Sequence, residues 1–318
     1  MGENKVNNSR YYAHSKPEKD KSEWQLLIDH LNWTADFAAK FGGDAGVADL
    51  ARIAGLVHDL GKYSAEFQKR LEGGPRVDHS TAGAKELKEL LKDKPPVVRE
   101  LLPKLLAYPI MGHHAGLPDY GNETDLEGST VCARLKNTIP NYSAYKSELD
   151  LSALSFPQHL SIYPLRLRQV PDKPLKDYAG FSCSFLTRMV YSALVDADYQ
   201  ETETYMKGAK SRGGHSDILT LREKLDAHLK QFENPTSDIN RKRNEILHAC
   251  IEKGTTEKPG FFSLTVPTGG GKTLASMAFA LHHAAAHDLK RVIYVIPFTT
   301  IIEQNAGVFK GFWVRRMC

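Results

Sequence analysis

The chain has 318 residues, 41% of them apolar and 25% charged, with a formal net charge of +4. That length holds one large domain or two ordinary ones, and the balance is that of a soluble globular protein with only a mild electrostatic pull toward nucleic acid. Cys132, Cys183, Cys250 and Cys318 are far apart, no apolar run reaches membrane-spanning length and the opening MGENKVNNSR is polar, so a disulfide frame, a cysteine zinc site, a membrane span and a signal peptide are not expected.

Residues 1 to about 232 read as mostly helical. WQLLIDHLNWTADFAAKF carries Trp24, Leu27, Ile28, Leu31, Ala35 and Ala38 at helical spacing. A second stripe, Leu26, Trp33 and Phe37, predicts that His30 sits among bulky groups. VADLARIAGLVHDL repeats Leu50, Ile53, Ala54 and Val57 and predicts a helix that ends at His58 and Asp59. AGAKELKELL, VRELLPKLLAYPIMGHH and FLTRMVYSALVDADYQETETYM continue the pattern, while residues 116 to 180 predict loops with short helices. Asn234-Pro235 and the polar cluster behind it predict a boundary, giving domains at 1–235 and 236–318. After a short helix at about 238 to 252, GFFSLTVPTGGGKTLASMAFALHHAAA and RVIYVIPFTTIIEQNAGVF read as strand, glycine loop, helix, strand. That is the start of a parallel α/β domain. A doubly wound sheet needs more strands, so the second domain is expected to be incomplete. The expected fold class is mainly α: a helical bundle followed by an incomplete α/β P-loop (RecA-like) segment.

TVPTGGGKT places Thr268, Gly269, Gly270, Gly271, Lys272 and Thr273 between a β-rich run and an apolar helix. Glycines let backbone N–H groups turn toward a phosphate, and the helix N-terminus adds its positive end. Lys272 is expected to reach the outer phosphates and Thr273 a magnesium ion. The strict Walker pattern wants glycine where this chain has Val266.

His58-Asp59 has company: His30, DHSTAGA with His79, GHHAGLPDY with His113 and His114, and LVDADYQETE with Asp196 and Asp198. Imidazole and carboxylate oxygen together suit first-row divalent metals. Two such ions can activate water and stabilise both oxygens of an in-line phosphoryl displacement. Asp59 is the natural bridge, because His58 beside it can hold one ion from the same helix end. A lone histidine on an apolar helix is usually a core residue bonded to a carbonyl, and His14, His159, His215, His228 and His248 are read so. His282, His283 and His287 on the glycine-loop helix are expected on its solvated side.

His30, His58-Asp59, His79, His113-His114 and a late Asp resemble the HD superfamily of metal-dependent phosphohydrolases. Pro-Thr-Gly-x-Gly-Lys-Thr resembles motif I of superfamily 2 helicases, and YVIPFTTIIEQ the next motif. An HD domain followed by that motif is similar to the CRISPR-associated nuclease-helicases of type I interference. YYAHS, HDLGKYS, GHHAGLPD and LVDADYQETE are similar to blocks of its subtype C-like members. The resemblance implies a nuclease recruited to a target-bound CRISPR RNA-guided surveillance complex of the Cascade type. There it cuts single-stranded DNA in antiviral defence, in the cytoplasm, while the helicase part pulls DNA with ATP. It implies two divalent ions, Mn, Ni, Co or Fe with Mg as a further option. One is held by His30, His58, Asp59 and Asp198, the other by His79, His113 and His114, with Asp59 shared. Asp198 is taken over Asp196 because the family's ligand precedes a bulky residue, here Tyr199. Lys62 follows the HD-x-G-K pattern, joins Asp59 among the catalytic residues and would stabilise phosphate charge. His14 would stand behind the ligands. KGFWVRRMC does not resemble the family's continuation, so the helicase part is expected to be truncated, with ATP and Mg used only by a full-length helicase.

Two rival functions follow from the same residues: an HD phosphohydrolase acting on nucleotides, and a non-catalytic fragment that binds the CRISPR complex. Activity on DNA against free nucleotides separates the first. Capture by the complex with a metal-site variant separates the second. The basic stretches PLRLRQ and KGAKSR offer phosphate contacts, although such runs are more often solvated faces.

Overall fold

A computed structural model describes residues 10–16, 20–156, 175–209 and 216–313. PLRLRQ, His159, His215 and Cys318 lie outside the described residues, as does the second half of KGAKSR. The chain divides into two compact units, Met1–Lys210 and Ser211–Cys318. No helix among the described residues is long and apolar enough to cross a membrane.

In the first unit a short antiparallel pair, β1 (Tyr12–His14) with β2 (Gln25–Leu26), precedes the helices. These are α1 (Leu27–Gly42), α2 (Ala48–Val57), α3 (Ala65–Leu71), α4 (Thr81–Leu90), α5 (Pro96–Gly112), α6 (Val131–Lys136) and α7 (Leu175–Lys207). Local chemistry sets several starts. Ser64 and Thr130 cap α3 and α6 by accepting the N–H three residues on, and proline opens α5, where no donor is needed. Leu27, Leu31 and Ala35 of α1, Ile53, Ala54 and Val57 of α2, Leu102, Leu106 and Ile110 of α5, and Val190 and Leu194 of α7 form one core. The helical period of each sequence segment is thereby used as expected, with one exception. Trp33 is 58% exposed, so it faces out while Leu26 and Phe37 are half-buried, and buried His30 meets Glu201 of α7.

Three glycines bring backbones into contact where side chains must converge. A Cβ on Gly55 would lie 2.6 Å from the Ala35 Cα, one on Gly83 2.0 Å from the Val57 carbonyl oxygen, and one on Gly61 2.3 Å from the His79 carbonyl oxygen. So α1 and α2 touch, the start of α4 sits on the end of α2, and the turn after Asp59 lies against His79. Gly61→Ala is expected to push the His79 backbone away, lowering stability by about 1–3 kcal/mol as overpacking does. Urea unfolding measures that. A wild-type midpoint would show that the approach has slack.

The second unit holds α8 (Ile218–Leu229), α9 (Asp238–Thr256), α10 (Lys272–Ala286) and α11 (Thr299–Trp313). Leu225, Leu229, Leu247, Met277, Ala278, Leu281 and Phe309 are its core. The expected boundary near 235 falls inside this unit, between α8 and α9. The expected strands at 260–266 and 291–296 are not paired: among the described residues only β1 and β2 form a ladder. Phe261, Ile293 and Val295 are correspondingly exposed. Two strand-like segments bury too little to hold a ladder by themselves. The mainly α class stands with a helicase-like segment behind the bundle, whose expected strands are unpaired among the described residues. His283 also corrects its expectation, being buried with Nδ1 on the Gly254 carbonyl at 3.0 Å, while His282 pairs with Asp226.

Candidate metal centre

The predicted residues sit mainly at element ends. His58 and Asp59 follow α2, Lys62 lies in the 3-10 turn Leu60–Tyr63, His79 precedes α4, and His113 and His114 follow α5. His30 and Asp198 project from α1 and α7. The structure brings all seven predicted ligands together in two groups, His30, His58 and Asp198 and then Asp59, His79, His113 and His114. Asp196 is exposed and bonds Gln200 instead.

Asp59 lies between the groups. Its Oδ2 is 3.3 Å from Nε2 of both His30 and His58. Its Oδ1 is 3.4 Å from His113 Nε2 and 3.5 Å from His79 Nε2. Asp198 Oδ1 closes the first group at 3.5 and 3.6 Å from His30 and His58. His114 Nε2 closes the second, 3.0 Å from His79 Nε2. Both Asp59 oxygens and His113 Nε2 are buried without a hydrogen bond. Lys62 Nζ lies 2.6 Å from Oδ2 as an ion pair, without hydrogen-bond alignment. Buried polar atoms left so cost free energy unless something else binds them.

The far side of four of the five rings is tied. Nδ1 of His58 meets the Gly55 carbonyl at 2.8 Å, that of His113 the Ile110 carbonyl at 2.6 Å, that of His79 the Val77 carbonyl at 3.3 Å and that of His30 a Glu201 oxygen at 2.5 Å. A ring that donates from Nδ1 presents its Nε2 lone pair inward, as metal-binding histidines do. Burial pushes His79 down to about 4, and partial burial of the ring together with neighbouring His113 does the same to His114, so both are neutral at pH 7. His58 goes the other way: burial opposes its charge, but the Asp59 and Asp198 carboxylates hold it up to about 10. Asp59 is held well below the usual carboxylate range, burial being overcome by Lys62 and His58. The orphaned oxygens, inward lone pairs and mixed imidazole–carboxylate set fit divalent metal.

In the second unit the glycine loop leads into α10. Gly269 and Gly271 hold φ of +84° and +82°, a left-handed backbone that favours glycine. A cavity of about 850 Å³ is lined by Thr268, Gly269, Gly271, Lys272 and Thr273. Gly270 instead packs against Val266, where a Cβ would meet the valine at 2.3 Å. Arg243 Nε donates to the Gly269 carbonyl at 2.7 Å.

Comparison with known proteins bears on both units. Residues 27–134 match the HD domain family, and residues 222–316 match the family described as type III restriction enzyme, res subunit. The chain is 22% identical over 332 residues to the CRISPR-associated nuclease/helicase Cas3 of Haloferax volcanii, an alignment covering 89% of this chain and 35% of that relative. The chain is Cas3-like: an HD domain followed by a helicase-like segment. It spans about a third of the length of the relative it matches.

The match to the HD domain contains six of the seven gathered ligands, and Asp198 on α7 lies beyond it. Sequence reading missed Glu201, which holds His30 and also accepts from the Gln25 side-chain amide. His14, expected behind the ligands, closes this row with Nδ1 2.7 Å from Gln25 Oε1. Burial pushes it down to about 3, so it is neutral. The available signal was spacing: Glu201 follows Asp198 by one helical turn on the same face. Glu201→Ala is expected to weaken metal binding or activity about 10–100-fold, the usual effect of losing such a partner. Unchanged metal affinity by calorimetry would show that His30 orients itself.

Proposed function

We propose that this chain is a metal-dependent nuclease hydrolysing phosphodiester bonds of single-stranded DNA in CRISPR type I interference. It works in the cytoplasm, recruited by a CRISPR RNA-guided surveillance complex. The observation that carries the reading is the Asp59 carboxylate, buried, free of hydrogen bonds and facing a histidine group with each oxygen. Two divalent ions sharing Asp59 would supply activated water and offset charge on both oxygens of an in-line displacement. His30, His58, Asp59 and Asp198 would hold one ion, and Asp59, His79, His113 and His114 the other. Lys62 keeps Asp59 ionised and adds positive charge beside the ions. His114 is exposed while His30, His58 and His113 are buried, so the DNA strand approaches from the His114 side. The helicase-like segment in the same chain favours a polynucleotide over a free nucleotide. The test is cleavage of single-stranded DNA against duplex DNA and free nucleotides with the metal-loaded chain. Turnover of nucleotides with DNA left intact would replace the nuclease reading with a nucleotide phosphohydrolase.

The helicase-like segment carries a second expectation. Lys272 and Thr273 can meet phosphate and magnesium, but ATP hydrolysis also needs an acidic side chain on that magnesium. The described cavity lining offers Asn240, Asn244 and Arg243 and no carboxylate. The 318-residue polypeptide is therefore expected to show no DNA-stimulated ATP turnover. A turnover rate abolished by Lys272→Ala would contradict this.

A further inference from the structure

Arg134, on α6, is the last residue of the HD match, and its guanidinium reaches the backbone that delivers the second ligand group. Nε donates to the Thr81 hydroxyl at 3.1 Å, and Nη2 donates to the Ser80 hydroxyl at 2.7 Å and to the Asp78 carboxylate at 3.1 and 3.3 Å. These three residues flank His79. Nη1 donates to the Met111 carbonyl at 2.8 Å, two residues before His113. Asp78 is fixed in turn, accepting from the Thr81 N–H at 3.1 Å and its hydroxyl at 2.6 Å. α6 is anchored to the loop that follows His114, with Val131 N–H on the Asp119 carbonyl at 2.9 Å and Cys132 N–H on that of Tyr120 at 3.0 Å. One planar fork thus joins the turn carrying His79 to the helix end carrying His113 and His114. Only arginine offers that many donors in fixed geometry. The other group is held differently: His30 by Glu201, His58 by the Gly55 carbonyl, and Asp198 by its place on α7.

We propose that Arg134 is the positioning residue of the ion subsite formed by Asp59, His79, His113 and His114, setting its affinity without setting that of the subsite at His30, His58 and Asp198. This rests on the two-ion reading above. The test titrates the metal-free 318-residue chain with Mn²⁺, following bound ions by calorimetry and electron paramagnetic resonance. Wild type is expected to take two ions and to show the exchange-coupled signal of a bridged pair. Arg134→Met is expected to take the first ion as before and the second about 10–100-fold more weakly, with an isolated Mn²⁺ signal at one equivalent. Arg134→Lys keeps the charge toward Asp78 without the fork and is expected to fall between. It carries the comparison if circular dichroism shows Arg134→Met unfolded. Wild-type affinity for the second ion in the folded variants overturns the proposal. Equal weakening of both ions does so too, since that marks general loosening. A wild-type chain binding fewer than two ions removes the two-ion reading itself, and the proposal with it, before any variant is compared.

Discussion

Replacing Asp59 with alanine is expected to lower DNA cleavage by at least about 10³-fold, the scale on which losing one member of a catalytic unit is felt. Among the described residues, Asp59 is the one whose two oxygens face both histidine groups. Its loss therefore removes a ligand from each proposed ion, whereas loss of His79 or Asp198 touches one. The helices are expected to persist, because Leu60, Val57 and Ile110 around the site are core residues packed by other contacts. Helical circular dichroism with absent cleavage is the predicted outcome. A folded, contaminant-free Asp59→Ala chain that cuts DNA at a tenth of the wild-type rate would show that the carboxylate does not join two ions.

Stripping metal with a chelator is expected to abolish cleavage, and Mn, Ni, Co or Fe is expected to restore it better than Mg at equal concentration. Five imidazoles converge on the site through Nε2, and magnesium prefers oxygen ligands and keeps its water. Loading should also depend on pH with a definite sign. In the metal-free site His58 is held up to about 10 by the carboxylates it faces. A proton must therefore leave before the ion binds, and affinity should rise with pH below that value, by up to about tenfold per unit for one displaced proton. Calorimetry in buffers of different ionisation enthalpy reads the released proton directly. Full restoration by Mg alone, or affinity falling as pH rises from 6 to 8, would mean that the imidazoles are not ligands.

The HD and HH pairs of the candidate ligand set were legible because they fall where helical periodicity stops, whereas His30 and Asp198 lie within α1 and α7. α2 ends at Val57 and α5 at Gly112, so the HD and HH pairs each follow directly on an apolar helix. Such placement is costly for polar groups without partners. Glu201 was visible as a residue but not as a need, since nothing in the sequence says that the His30 Nδ1 lacks another acceptor. Arg134 was less accessible still, as its partners lie 23 to 56 positions away and meet it only after three segments have packed. The close approach of Gly61 to His79 is tertiary in the same way. Trp33 misled because an aromatic at helical spacing fits a core stripe as well as an exposed one. The segments around Phe261 and Ile293 have strand composition, but a ladder belongs to a sheet, and composition does not supply neighbours.

Circular single-stranded DNA, which lacks ends, reports internal hydrolysis, and a linear strand beside it reports hydrolysis from the ends. The metal-free chain is supplied with Mn²⁺, without ATP, beside an Asp59→Ala control and a chelator control. The metal-loaded chain alone is expected to convert the circle to shorter linear products. An intact circle together with intact linear single-stranded DNA, under conditions where calorimetry shows two bound ions, would contradict the nuclease reading.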